Sequence, residues 1–272
     1  MKRVLSAVIF LPPFWFIVKP PYHALYDALI VVGALLALRE LYRFAAARGH
    51  RCHRLLGAAT AVLIMASFAL AGFDLHYALA FGLLALPLAS LWRDGDWGPA
   101  LADIGTTFFA ATFVGVLFGF LIKLRAVNDL PKGDESGSDL VFLLFFVVWS
   151  SDTAAYYVGT RLGRHALAPR VSPKKTVEGA VGGVLGALVA AFVARLWFFN
   201  RLSLSDCAVL GVCLGGIGIL GDLVESMLKR GAGVKDSAAL VPGHGGILDR
   251  VDSLLYAGPI LYYYYLFAMR PH

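Results

Sequence analysis

The sequence predicts an all-α, polytopic integral membrane protein with about nine transmembrane helices and a cytoplasmic N-terminus. Three observations predict it. The 272-residue chain is 59% hydrophobic, with a mean hydropathy of +0.72. One soluble core cannot hide that much apolar surface, because folding leaves roughly a quarter to a third of a chain's surface in water. Charged residues make up 15% of the chain, against about 25% in soluble domains. The apolar residues also fall in long runs approaching the about 20 residues a spanning helix needs, without the period-two alternation of barrel strands. A backbone in lipid must satisfy its own hydrogen bonds, so each run is expected to be a helix.

The runs are 4–18, 23–38, 55–72, 75–91, 100–122, 140–158, 176–198, 206–224 and 251–268. The first is short and interrupted by Pro12-Pro13. Met1-Lys2-Arg3 before an apolar run opens like a signal peptide, yet Phe14, Trp15 and Phe16 follow the prolines in place of a small-residue cleavage site, so retention is expected. The next four runs are plain apolar spans with short loops. The run 140–158 holds Asp152, about two turns from its cytoplasmic end. The seventh and eighth carry Gly179, Gly182, Gly183, Gly186 and Gly215–Gly221, small residues that let helices pack closely. The ninth ends in Tyr262–Tyr265, an interfacial aromatic belt. Residues 1–272 read as a single membrane domain. Within it, 1–140 is scaffold-like, and 145–253 is the region expected to carry chemistry.

Charge sets the topology. With the N-terminus inside, the inner segments hold most Lys and Arg, including Lys2, Arg3, Arg39, Arg43, Arg48, Arg51, Arg54 and Arg93. Outer segments hold Lys19, Lys123, Arg125, Lys132, Arg201 and Arg270. This is the positive-inside pattern, and it accounts for the net charge of +6 without a nucleic-acid surface. Cys52, Cys207 and Cys213 have neither metal-site nor disulfide-framework spacing.

The richest stretch runs from Gly221 to Ser253. A carboxylate at the end of a membrane span, such as Asp222, is costly and faces a partner or a wet cavity. Helical spacing puts Asp222, Ser226 and Lys229 on one face, and the next span opens with Asp249, Arg250, Asp252 and Ser253. Between them lie Arg230, Lys235, Asp236 and the turn Pro242-Gly243-His244-Gly245-Gly246. Two helix ends thus bring carboxylates together beside cations. That combination suits a magnesium-bound polyphosphate: carboxylates hold the hard cation, Lys and Arg neutralise phosphate, and glycines let backbone N–H groups approach an anion. The plainer account is a loop of solvated charges anchoring two spans. A lone His244 is more often a hydrogen-bonding loop residue than a ligand.

In a second stretch, Ser172 is expected to N-cap a helix with Pro173 in its first position. Lys174 and Lys175 would then oppose the positive helix end, a conflict that a bound anion resolves; headgroup anchoring is the alternative. Asp152 points to the same cavity or to a structural pair with an arginine. Gly216-Ile-Gly218-Ile-Leu-Gly221 matches a dinucleotide fingerprint but has no βαβ context, and there is no Walker A sequence.

The segment Ser226-Met-Leu-Lys229-Arg230, then Lys235-Asp236, then Pro242-Gly-His244-Gly245-Gly246-Ile-Leu-Asp249-Arg250-Val-Asp252, resembles the signature of the phosphatidate cytidylyltransferases, or CDP-diacylglycerol synthases. Asp152-Thr-Ala-Ala-Tyr156, Gly159 and Ser172-Pro-Lys174-Lys175-Thr-Val-Glu178-Gly are similar to the same family, with Val177 where tryptophan is common there. The likeness is specific over about 145–253. Elsewhere it rests on the span pattern and Arg39-Glu40. The resemblance implies transfer of CMP from CTP to phosphatidic acid, giving CDP-diacylglycerol and pyrophosphate in phospholipid biosynthesis. It also implies magnesium, with potassium as a second ion, bound by Asp222 and Asp249. Lys229, Arg230, Lys235, Asp236, Arg250 and Asp252 would complete the catalytic set. Asp152, Ser172, Lys174, Lys175, Glu178, Ser226, His244, Gly245 and Gly246 would bind substrate. A homodimer in a bacterial inner membrane, its site facing the cytoplasm, is expected. Competing classes are a secondary transporter, which predicts inverted repeats not seen here, an enzyme using CTP on another lipid, and a structural subunit, which leaves the clustered charges unexplained.

Overall fold

The computed structural model describes residues 15–19, 23–93, 97–127, 136–234 and 246–269. Of the predicted span 4–18, only the helical residues 15–18 fall within that set. The helices that follow are α1 (His23–Ala47), α2 (Arg54–Ala69), α3 (Leu75–Leu91), α4 (Ala100–Arg125), α5 (Ser136–Leu162), α6 (Val177–Trp197), α7 (Leu204–Ala232) and α8 (Leu248–Tyr264). A π-helical turn, Tyr265–Met269, follows α8. Each predicted run from residue 23 onward therefore contains a helix. Helices α4 to α7 are long and apolar enough to cross a membrane, while α2 and α3 are shorter apolar helices of 16 and 17 residues. The chain is an integral membrane protein built almost wholly of helices.

Helices α1 and α7 run furthest past the C-terminal ends of their apolar runs. Helix α1 continues from 38 to Ala47 because Leu41, Tyr42, Phe44 and Ala45 keep helical spacing and are buried. Helix α7 reaches Ala232 because Glu225 packs inward rather than terminating it. Its ends are well signalled. Ser203 and Asp206 form a reciprocal capping box, and Gly233 stops it at φ +74°, a conformation glycine adopts without cost.

One expectation is corrected. Ser172 and Pro173 do not open a helix. Ser172–Thr176 is a strand, β2, paired antiparallel with β1 (Ala166–Ala168). Helix α6 begins at Val177, and its N-cap is Thr176, whose hydroxyl accepts the Gly179 N–H at 3.1 Å. Both lysines therefore precede the N-cap rather than occupying the first helical turn, and both face the cavity described below.

The predicted glycine contacts are realised between α5, α6 and α7. A Cβ on Gly182 would lie 2.6 Å from the Val158 side chain, and one on Gly215 would lie 2.8 Å from the Ala187 side chain. Close approach gives these helices the dispersion contact that replaces a hydrophobic driving force in lipid. At one end of the bundle the turns converge. Arg48 bonds the Gly231 carbonyl, Arg230 bonds the Val171 carbonyl, and Glu40 bonds Ile247 and Leu248. In the same way Asp103 joins the α1–α2 turn to Arg93. Glu225, Lys229, Arg230, Asp249 and Arg250 lie toward this end, while Arg195 and Asp206 lie at the other.

Candidate active site

Helix α7 projects Asp222, Glu225 and Lys229 along one side at i, i+3 and i+7. Glu225 is buried, and the Lys229 ammonium bonds its carboxylate at 2.7 Å. The same ammonium donates to Asp249 Oδ1 on α8 at 2.5 Å, and Asp249 Oδ2 accepts the Gly246 N–H at 3.3 Å. Asp249 is thereby held from both sides of its carboxylate. One turn along α8, Asp252 Oδ1 accepts the Ser253 N–H at 2.6 Å. The Ser253 hydroxyl lies 3.5 Å from Asp152 Oδ1 on α5. From β2, Lys175 forms an ion pair with Asp222.

Carboxylate oxygens of Asp222, Glu225 and Asp252 all lie within 4.8 Å of one another. Asp152 and Asp252 are both within electrostatic reach of Asp222 and Lys175. The carboxylates outnumber the ammonium groups bonded to them, and like charges at this spacing repel strongly in a partly dry site. Glu225 Oε1 is buried and receives no hydrogen bond. Hard oxygen donors, excess negative charge and an unsatisfied buried carboxylate oxygen fit a hard divalent cation.

Beside this group opens a cavity of about 510 Å³ between α5, the hairpin, α6 and α7. Asp152, Ser172, Lys174, Lys175, Asp222 and Tyr156 are on its wall. Residues distant in sequence thus share one concavity, with cations on the hairpin side and carboxylates on the helix side. The other expected residues are distributed around it. Arg230 Nε reaches the Val171 carbonyl at 3.3 Å, across the hairpin turn. Glu178 is turned toward the hairpin base, where it accepts the Arg164 and His165 N–H groups at 3.0 and 3.2 Å and meets His165 Nδ1 at 2.6 Å. Ser226 is half-buried on α7, and Arg250 is exposed in the first turn of α8. Lys235, Asp236, His244 and Gly245 lie outside the described residues.

Glu225 is absent from the residues the sequence singled out. Its signal was available: Asp222-x-x-Glu225-x-x-x-Lys229 places a carboxylate one turn after Asp222 and an ammonium one turn later again. The Glu40 contacts carried no such signal, since their partners are more than 200 residues away.

Residues 1–268 match the cytidylyltransferase family. The chain belongs to that family. A phosphatidate cytidylyltransferase of Pseudomonas aeruginosa is 34% identical over 273 residues, covering 95% of this cytidylyltransferase-family chain and 94% of the relative. Relatives of the same name from Bacillus subtilis and Haemophilus influenzae are 38% identical over 161 residues and 45% identical over 166. Those two alignments span 58% and 57% of the relatives' own lengths. The family match takes in both halves of the bundle, the plain spans as well as the charged end.

Proposed function

We propose that this protein transfers CMP from CTP to phosphatidic acid, yielding CDP-diacylglycerol and pyrophosphate. One observation carries the reading: the lysine-lined cavity and the carboxylate group meet at Asp222. A phosphorylated lipid and a metal-bound triphosphate need such a meeting point. The near-full-length relative named phosphatidate cytidylyltransferase supports the choice of substrates.

A phosphate oxygen of phosphatidic acid attacks the α-phosphorus of CTP. The bond from that phosphorus to the β-phosphate oxygen breaks, and pyrophosphate leaves with its electron pair. Protein contributes little covalent chemistry to such a transfer; positioning and charge stabilisation dominate. Lys174 and Lys175 hold the lipid phosphate against Asp152 and Asp222. Lys229 and Arg230 face the polyphosphate, with Arg250, Lys235 and Asp236 in supporting roles. Asp222, Glu225 and Asp252 supply the oxygen ligands nearest to one another for magnesium, with Asp249 joined to them through Lys229. When bound by these carboxylates, magnesium would neutralise phosphate charge and draw electrons from the phosphorus, and potassium would be the second ion. The distribution of Lys and Arg supports nine spans, a cytoplasmic N-terminus and a site opening to the cytoplasm of the bacterial inner membrane, where CTP is available. The working form is a homodimer.

Protein purified in detergent and given phosphatidic acid with labelled CTP is expected to release pyrophosphate and form CDP-lipid only with magnesium. Chelation stops turnover, and restoring magnesium restarts it. No product from folded, lipid-supplemented protein, with a known synthase active alongside, would send the assignment to another lipid acceptor. Lys174→Ala is expected to raise the KM for phosphatidic acid several-fold, by loss of a charge-assisted contact worth about 1–2 kcal/mol, with little change in KM for CTP. Unchanged KM values for both substrates would return Lys174 to headgroup anchoring.

A further inference from the structure

The site elements α7 and α8 are joined by a connection of some length, and α1 together with the turn that follows it touches both of its ends. At the α8 end, the Glu40 carboxylate accepts the backbone N–H of Ile247 at 2.9 Å and of Leu248 at 3.0 Å. Glu40 is fully buried. No α8 residue caps this helix start, where Ile247 stands as N-cap without a side-chain bond. The first N–H groups of a helix have no partner within it, so Glu40 performs from another helix the task a local Asp or Ser usually performs. At the α7 end, Arg48 Nε donates to the Gly231 carbonyl at 2.5 Å, where the last carbonyls of a helix are likewise without intrahelical donors.

The charges match the helix ends they meet. A carboxylate sits at the positive start of α8 and a guanidinium at the negative finish of α7. Glu40 lies within α1 and Arg48 in the turn that directly follows it, eight residues on, so one end of α1 and its turn set the separation of the two ends. Lys229 lies two residues before Gly231, and Asp249 lies one residue after Leu248. The Lys229–Asp249 contact at 2.5 Å closes directly across this bracket.

We propose that Glu40 and Arg48 are positioning residues, which bracket the α7–α8 connection from α1 and its following turn and so hold Lys229 and Asp249 in register for the reaction. This rests on the reading that these groups serve CMP transfer. It gives the scaffold half of the chain a part in the chemistry: a buried charge that contacts no substrate decides where the reacting charges stand.

The test uses the full-length protein in detergent. Glu40→Ala, Glu40→Gln, Arg48→Ala and Arg48→Lys are compared with wild type for kcat, KM for CTP, thermal midpoint and hydrogen exchange of the peptides covering 229–234 and 246–253. In Glu40→Ala, exchange at Ile247 and Leu248 accelerates while that of α4 is unchanged. The kcat falls by on the order of 10- to 100-fold, as misplacement by about an ångström would produce, and the KM for CTP moves far less. Glu40→Gln keeps one carbonyl acceptor and recovers part of both effects. Arg48→Ala has the smaller effect on kcat and Arg48→Lys restores most of it, because Arg48 is exposed. A merely structural role would lower the midpoint of Glu40→Ala while the folded fraction turned over normally. Folded Glu40→Ala with wild-type kcat, or with unchanged exchange at 246–253, overturns the proposal. If Glu40→Ala fails to fold, Glu40→Gln and the Arg48 pair decide by the same two readouts. Absence of CMP transfer by wild type would count against the reaction alone, since exchange still reports the bracket.

Discussion

Asp222→Asn is expected to lower kcat for CMP transfer by on the order of 10²–10³-fold, the scale associated with losing one preorganised electrostatic contact, while the protein remains folded. The geometry separates the two effects. Asp222 belongs to a group of carboxylates whose oxygens lie within 4.8 Å of one another, and it is half-buried rather than sealed in the core. An asparagine has the same shape and still accepts a bond from Lys175, but it brings no charge to a cation. Removing one negative charge from a crowded set also relieves repulsion. The thermal midpoint without magnesium is therefore expected to stay level or rise as activity vanishes. Magnesium, which stabilises the wild type by binding its folded form, is expected to raise the midpoint of the variant less. Near wild-type turnover in purified Asp222→Asn would remove that carboxylate from the site.

Lys229→Ala is expected to fail in the opposite way, losing stability as well as rate. The ammonium is mostly buried and ties Glu225 at 2.7 Å to Asp249 at 2.5 Å. Without it two carboxylates face one another in a partly dry setting with no cation between them. Removing one member of a buried charge network costs about 3 kcal/mol or more, and kcat should fall at least as far as in Asp222→Asn. Added magnesium is expected to recover more of the midpoint in Lys229→Ala than in wild type, because a second cation can take up part of the freed charge. A variant with the wild-type midpoint and rate would show that Lys229 spans the two carboxylates without consequence for either.

The spans were legible because their signal is local. A run such as 100–122 is apolar whatever surrounds it, and lipid permits few alternatives to a helix. Helix ends were less legible: α1 runs nine residues past the predicted 38, driven by burial of Leu41, Tyr42 and Phe44 against other helices. The hairpin was missed because Ser172-Pro173 has the chemistry of a helix start, and the competing signal, pairing with Ala166–Ala168, lies in another segment. At the site, Asp222, Lys229, Asp249 and Asp252 were legible from helical spacing. The meeting of Asp152 with Ser253, and of Lys175 with Asp222, depends on how α5, β2, α7 and α8 are arranged in space. Glu40 is the extreme case. A carboxylate in a run of arginines reads as surface charge, and its burial against Ile247 and Leu248 exists only in the assembled bundle.

The unequal lengths of the helices bear on the bilayer itself. Helices of 16 and 17 residues, α2 and α3, measure about 24 and 26 Å at 1.5 Å per residue, several ångströms less than a hydrocarbon layer of about 30 Å. Read as spans, they oblige the surrounding lipid to thin, at a cost of fractions of a kcal/mol per ångström. Helix α7, at 29 residues, is about 44 Å long and projects beyond any such layer. Its C-terminal turns carry Glu225 and Lys229. With α2 and α3 as spans, the thickness of the host membrane becomes a physical variable of the protein, as temperature is, entering the energy of keeping the bundle embedded.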